Sequence, residues 1–415
     1  MSAHVLRSII RRTLGVCIVI AHADIRRFVY ETGSPFKRLE ALLAPVRPNP
    51  DLEPITMTVG EPRHAPPKGM LQALSAAQAG FAKYPASTGI PEHRQSIGEW
   101  LIRRYNLPRD RLDIDAQILP LNGSREGLVL AARTARDMRH DVERPVIVMQ
   151  NPFYQAYAAG ALMAECDVVL LDETDTRGQG IPEAVWRRTV AAYIASPTNP
   201  QGQILLHSDW HAWIELARLH GFYLFADECY SEIYRHDAPP GVLEVAARSA
   251  GGFRHVVSFN SLSKRSNLPG LRTGFAAGDE AFMATFLKLR TMGGPQVPIP
   301  LQAAATEAWK DEAHVMASRT LYVKKWTLVE DTLGAHLSEA TPGAGFFLWL
   351  KLPSGLTDVD AALQLWENQA LRTIPGSYLA YPTTPTTCQD RLRLALVDDE
   401  PTTAEALSRL ATLFA

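Results

Sequence analysis

Between about residues 68 and 330 the chain alternates short apolar runs with longer helix-like stretches, and that alternation admits very few folds. The runs are Val146-Ile147-Val148-Met149, Val168-Val169-Leu170-Leu171, Tyr193-Ile194-Ala195, Phe222-Tyr223-Leu224-Phe225-Ala226 and Val256-Val257-Ser258-Phe259, recurring every 20 to 35 residues. A strand buried on both faces reads as a continuous apolar run, and parallel neighbours need a crossover helix between them. Lys68 to Phe81, Arg94 to Tyr105 and Glu126 to Arg139 have helical patterning. The expectation is an α/β fold: β-α-β units feeding a mostly parallel sheet covered by helices. From about residue 300 the pattern changes. A helical tract (Gln302 to Trp309, then His314 to Leu333) precedes a strand at Phe346 to Leu350, a helix from Asp358, a strand at Arg391 to Leu396 and a closing helix. That order predicts a smaller α+β domain.

With 415 residues there is room for two or three domains, and 46% hydrophobic against 21% charged residues predicts packed structure rather than disorder. A formal net charge of −2 and the absence of a basic stripe give no reason to expect nucleic acid or an anionic membrane as partner. Cys17, Cys166, Cys229 and Cys388 lie far apart without C-x-x-C or zinc spacing. Free thiols in a reducing cytoplasm, and no metal site, are expected. Arg7, Arg11 and Arg12 precede the apolar run Leu14 to Ala21, a pattern like a signal peptide. The run is short and no disulfide pattern accompanies it, so a loose leader or an over-extended start is preferred to export. Nothing is long enough to span a bilayer.

Ligands of open α/β sheets sit beyond the carboxyl ends of the strands, and chemically suggestive residues follow these runs. Lys264 lies in Ser261-Leu262-Ser263-Lys264, with Arg272 eight residues on in Pro269-Gly270-Leu271-Arg272. A lysine among small hydroxyl residues with an arginine nearby suits a phosphorylated aldehyde: the amine forms an imine, and the hydroxyls and guanidinium take the phosphate. The aldehyde implied is pyridoxal 5′-phosphate. Its ring nitrogen needs a carboxylate, for which Asp227 at a strand end is the candidate. Its phenolic oxygen needs donors, for which Tyr230 and Asn199 are candidates. Asn122-Gly123-Ser124-Arg125-Glu126 is a glycine turn opening a helix, where backbone N–H groups meet phosphate. Tyr154 or Phe153 offers a stacking ring. Lys264, once displaced, can carry a proton as general base and acid. Taken singly, most of these residues have plainer roles: Asp227 a loop cap, Tyr230 core packing, Asn199 a turn. For a substrate α-carboxylate Arg393 is the choice, although alternation puts Arg391 on the same face.

This constellation resembles the class I/II aminotransferases, the fold-type-I enzymes similar to aspartate aminotransferase, from about Pro35 to the C-terminus. The resemblance implies a mostly parallel seven-stranded sheet in the large domain. Asn199 matches the family's N-P-x-G asparagine, Asp227 and Tyr230 its D-E-x-Y pair, and Ser261, Ser263, Lys264 and Arg272 its S-x-S-K and downstream arginine. By the same resemblance Arg393 binds the substrate α-carboxylate and Gly60, in V-G-E-P, meets it with its backbone. Tyr84, with Gly89, reaches the neighbouring subunit's phosphate in a homodimer. Tyr154 becomes the stacking aromatic. The implied division is a leader or extension over 1–34, an arm over 35–60, a large cofactor-binding domain over 61–300 and a small domain over 301–415.

Lys264-Arg265-Ser266-Asn267-Leu268-Pro269-Gly270-Leu271-Arg272, with Asn151-Pro152-Phe153-Tyr154-Gln155-Ala156-Tyr157, further resembles the N-succinyldiaminopimelate aminotransferases of lysine biosynthesis. That branch lacks the first 33 residues. The implied substrates are N-succinyl-LL-2,6-diaminopimelate and 2-oxoglutarate, going to N-succinyl-2-amino-6-oxopimelate and glutamate. Both amino donors carry a second anionic group, which needs a second cation; Arg265, Arg125 and Lys83 are the candidates. The alternatives are a broad amino-acid transaminase or a C–S lyase, since cofactor, lysine and aspartate serve all three. A cofactor-sensing transcription regulator would need a DNA-binding module, and residues 1–34 are too short for one with its linker.

Overall fold

In a computed structural model, residues 18–172, 174–384 and 386–414 are described. The leader's Arg7, Arg11, Arg12 and Cys17 lie outside them. The large sheet orders its strands Ile18–Ile20, Asp167–Leu171, Val146–Gln150, Thr189–Ala195, Tyr223–Asp227, Val256–Ser261, Gly274–Gly278 and Ile118–Leu121. The five from Asp167–Leu171 to Val256–Ser261 are mutually parallel. Gly274–Gly278 runs antiparallel to both of its neighbours, so Ile118–Leu121 points the same way as the parallel five.

Period-2 alternation within the runs explains their uniform apolarity. Val146, Val148, Leu224 and Ala226 enter the core on one face of the sheet, while Ile147, Met149, Tyr223 and Phe225 enter the core on the other. Burying a Val or Phe contributes on the order of 1.5–3 kcal/mol, so both registers favour the same doubly covered sheet.

The sheet has eight strands where seven were expected. The additional one is Ile18–Ile20, from the stretch read as leader, which pairs antiparallel with Val168–Leu170. Helix His22–Glu31 follows it and buries Ile25. Three apolar residues, Ile18 to Ile20, are enough to cover that sheet edge.

The expected helix over Lys68 to Phe81 is Met70–Ala76 followed by a 3₁₀ segment, Gln78–Ala82. Gly80 there packs so closely on Ile299 that a Cβ would lie 2.8 Å from its Cγ2. The long tract divides at Asp311 into helices Ile299–Lys310 and Ala313–Leu333. A second, antiparallel sheet orders Phe347–Lys351, Arg391–Ala395 and Ile374–Pro375. Its apolar face shares a core with helices Ala313–Leu333, Asp358–Gln369 and Glu400–Ala411.

Candidate active site

The parallel strands end on one edge, and the loops leaving it enclose a cavity of about 490 Å³. Asp227 is the last residue of its strand and is buried in the cavity wall. Its Oδ2 accepts from Tyr157 Oη at 2.7 Å and its Oδ1 from the Cys229 backbone N–H at 3.2 Å. Burial pushes the Asp227 carboxyl upward, while Cys229 and Tyr157 pull it back. Burial and the Asp227 charge hold the Tyr157 phenol well above its ordinary range, so it stays a donor. The Tyr157 ring lies flat on Tyr193, centroids 4.6 Å apart and planes 7° apart, and Tyr193 Oη donates to Leu128 O at 2.6 Å.

Strand Val256–Ser261 runs straight into the short helix Leu262–Arg265, which carries Lys264. The Lys264 amine donates to Gly60 O across the cavity. Burial lowers its pKa to about 8; Arg393 and Arg125 add to this and Glu61 opposes it. A lysine partly neutral near physiological pH is a competent nucleophile and proton carrier. Gly60 approaches Phe347 so closely that a Cβ would sit 2.4 Å from its ring.

Gly123 precedes helix Ser124–Met138 at φ +78°, and a Cβ there would lie 2.4 Å from Arg272 Nη2. Only glycine lets this helix N-terminus and that guanidinium face one space. Arg272 reaches the same edge because it precedes an antiparallel strand, which enters where the parallel strands leave. It donates to Asn122 O at 3.3 Å and Pro269 O at 3.0 Å. Ser124, Ser261 and Ser263 line the same part of the cavity. Cys229 Sγ donates to Ser124 Oγ at 3.1 Å, which ties this cup to the Asp227 loop. Tyr154 lines the cavity, with its Oη bonded to Arg125 Nε at 2.5 Å.

Arg393 enters from the smaller sheet. Its Nη2 donates to Thr58 O at 2.7 Å and its Nη1 to Asn199 Oδ1 at 3.3 Å, while its buried Nε has no partner. Burial lowers its pKa to about 10, so it remains cationic. No carboxylate pairs with it among the described residues. A buried guanidinium so placed is a receptor for an anion. Tyr230 lines the cavity edge-on to Phe346 and Phe347. Arg391, which spacing could not separate from Arg393, forks onto Glu339 at 2.7 and 2.8 Å.

Of the three candidate second cations, Arg125 lines the cavity. Arg265 does not: its buried guanidinium bonds Glu312 at 2.7 Å and Ala308 O, between the rings of Trp100 and Trp309. Lys83 and Tyr84 are exposed outside the cavity of the single chain. Sequence reasoning assigned no role in the site to Tyr157, Cys229 or Phe36, which line the cavity, or to Thr58, whose carbonyl holds Arg393. Tyr157 had one available signal, its position a helical turn after Tyr154 on the same loop-to-helix junction.

These groups fit pyridoxal 5′-phosphate. A lysine amine with lowered pKa, a carboxylate held by two donors, and a glycine cup against a guanidinium face one space. The orphaned Nε of Arg393 leaves anion-binding capacity beside them.

The family model "Aminotransferase class I and II" matches residues 53–410. The chain is 36% identical to an aminotransferase structure from Neisseria meningitidis Z2491, with TM-score 0.87 over 94% of this chain and all of that one. It is 30% identical to the 4-dedimethylamino-4-oxo-anhydrotetracycline transaminase OxyQ of Streptomyces rimosus, over 79% of this chain and 84% of the relative. It is 28% identical to an LL-diaminopimelate aminotransferase of Desulforudis audaxviator, over 90% and 94% respectively.

Proposed function

The chain belongs to the class I and II aminotransferases, which use pyridoxal 5′-phosphate, and from that premise we propose that its amino donor is N-succinyl-LL-2,6-diaminopimelate and its acceptor 2-oxoglutarate. The observation that carries this reading is Arg125. With Arg272 assigned to the phosphate and Arg393 to the α-carboxylate, it is the lining arginine left for a distal carboxylate. Its Nε is taken by Tyr154, and no carboxylate pairs with its outer nitrogens among the described residues. Both glutamate and the succinylated donor present such a group. The resemblance of the Lys264 to Arg272 segment to the succinyldiaminopimelate branch supports the same substrate.

In this reading the cofactor, when bound, supplies an electron sink for the bond broken at the donor's Cα. Lys264 would hold its aldehyde carbon, Asp227 would serve its ring nitrogen, and Tyr230 and Asn199 would serve its phenolic oxygen. Gly123, Ser124, Ser261, Ser263 and Arg272, with the backbone N–H of Arg125 in the first turn of its helix, would surround its phosphate, and Tyr154 would cover its ring. Arg393 grips the α-carboxylate, with Asn199 and the Gly60 backbone beside it, and so aims the Cα–H bond. The Lys264 amine, once displaced, would take that proton from Cα and deliver it to the aldehyde carbon it had held, and would carry a proton back from there to Cα of the acceptor in the second half-reaction. The rings of Tyr230 and Phe346, with centroids 6.0 and 5.6 Å from the Lys264 amine, shield it from water.

We extend the proposal to the whole protein: a cytoplasmic homodimer in which the exposed Tyr84 reaches the partner's phosphate site. Residues 61–300 would form the cofactor-binding domain, with 301–415 and the arm 35–60 forming the small one. Among the described residues no helix is long and apolar enough to cross a membrane.

The test compares N-succinyl-LL-diaminopimelate with free LL-diaminopimelate as donors to 2-oxoglutarate. The succinylated donor is expected to have the higher kcat/KM. Arg125→Ala is expected to raise its KM by about tenfold, the scale of one hydrogen bond to a charged group. Preference for the free diamine would overturn the substrate assignment and leave the transaminase.

A further inference from the structure

The family match begins at residue 53, yet one wall of the cavity is backed from before it. Helix His22–Glu31 lies along helix Gln155–Met163 and strand Asp167–Leu171. It is fastened at its start, where the His22 backbone N–H donates to Asp167 Oδ1 at 3.0 Å and its ring nitrogen sits 3.2 Å from Leu162 O. Ile25, fully buried, and Phe28, one turn on, share its inner face.

Phe28 meets two rings. It packs edge-on to Phe153, centroids 5.9 Å apart at 63°, and lies 5.2 Å from Tyr381. Phe153 lines the cavity. Tyr381 is tied to the start of the same loop, its N–H donating to Asn151 Oδ1 at 2.9 Å and its carbonyl accepting from Asn151 Nδ2 at 3.1 Å. The four-residue loop from Asn151 to Tyr154 is thus held at its first residue by Tyr381 and at its third by Phe28. Its fourth residue is the Tyr154 assigned to the cofactor ring, and Tyr157, a turn later, holds Asp227. Removing the Phe28 side chain would leave Phe153 free to turn back into the vacated space and draw Tyr154 with it.

We propose that Phe28 is a positioning residue of the active site: by bracing Phe153 and Tyr381 it fixes the Asn151–Tyr154 loop, and so governs cofactor affinity without touching cofactor or substrate. The extension before the family match is then part of the catalytic apparatus. The inference rests on the assignment of Tyr154 to the cofactor ring.

The experiment uses the full-length holoenzyme with Phe28→Ala, Phe28→Leu and Phe28→Tyr. Five quantities are read: the pyridoxal phosphate dissociation constant, the circular dichroism of the bound cofactor's visible band, the Tm, and kcat and KM with glutamate. Phe28→Ala is expected to weaken the cofactor by about tenfold, the scale of one edge-to-face aromatic pair with its buried area, and to change the visible dichroism. Phe28→Leu should do so less, and Phe28→Tyr should restore both. A lowered Tm with unchanged dissociation constant and dichroism would overturn the proposal and leave Phe28 as packing alone. If Phe28→Ala does not fold, Phe28→Leu is judged by the same criterion. A wild-type protein that takes up no cofactor would overturn the functional reading itself, and this inference with it.

Discussion

Asp227 shows how opposed effects at one residue set a chemical state. Burial favours the protonated acid, whereas the Tyr157 hydroxyl and the Cys229 N–H favour the carboxylate that a cofactor ring nitrogen needs. Tyr157→Phe deletes one donor and nothing else of the stack, so the Asp227 pKa rises and the ionised form is lost at higher pH. The acid limb of the pH–kcat/KM profile is expected to move up by about one pH unit, the equivalent of a ~1.4 kcal/mol hydrogen bond. Tyr193→Phe, which removes the other hydroxyl of the stack, should lower Tm and leave that limb in place. Lys264 is tuned the other way. Its neutral amine is the reactive form, so cofactor uptake by the apoenzyme should rise with pH, with its midpoint near the amine's pKa of about 8. Arg393 holds that pKa down. Arg393→Ala should therefore shift the uptake curve to higher pH while raising KM for both amino donors, as stopped-flow absorbance and steady-state rates would show.

At the scale of elements, the site is made by where strands end and which way they run. The parallel runs were legible because residues buried on both faces leave no polar alternation, and the chemistry placed at their carboxyl ends followed from that topology. Arg272 is at the site for a reason that run lengths do not encode, the reversed direction of Gly274–Gly278. The Ile18–Ile20 strand was illegible for a related reason. Three apolar residues near an N-terminus carry no periodicity, and only an available edge at Val168–Leu170 makes them a strand. Arg265 misled because a cation within a cofactor motif reads as functional, whereas its side chain turns inward to Glu312 and two indole rings. Glycine carries the tightest constraint. Gly123→Ala meets both a positive φ and the Arg272 guanidinium, and should cost about 1 kcal/mol or more. The expected outcome is weaker cofactor binding with the fold retained, measurable by equilibrium dialysis and far-ultraviolet dichroism.

For the molecule as a whole, two sheets contribute different halves of the chemistry. The large sheet presents Lys264, Asp227 and the glycine cup, and the small sheet presents Arg393 and Phe347. Sequence spacing could nominate Arg393 but not separate it from Arg391, because both share a strand face; Glu339 claims the latter in three dimensions. The central claim is that these parts together move an amino group. Its most direct test mixes the holoenzyme with N-succinyl-LL-diaminopimelate alone, glutamate alone, or neither, and records absorbance and released products, with Lys264→Ala beside it. The account predicts that both donors shift the bound cofactor's visible band to that of its aminated form, with one keto acid and no ammonia released per site. It predicts neither change in Lys264→Ala, where loss of the base lowers the rate by at least about 10²-fold. Ammonia release without that shift, or turnover surviving in Lys264→Ala, would contradict it.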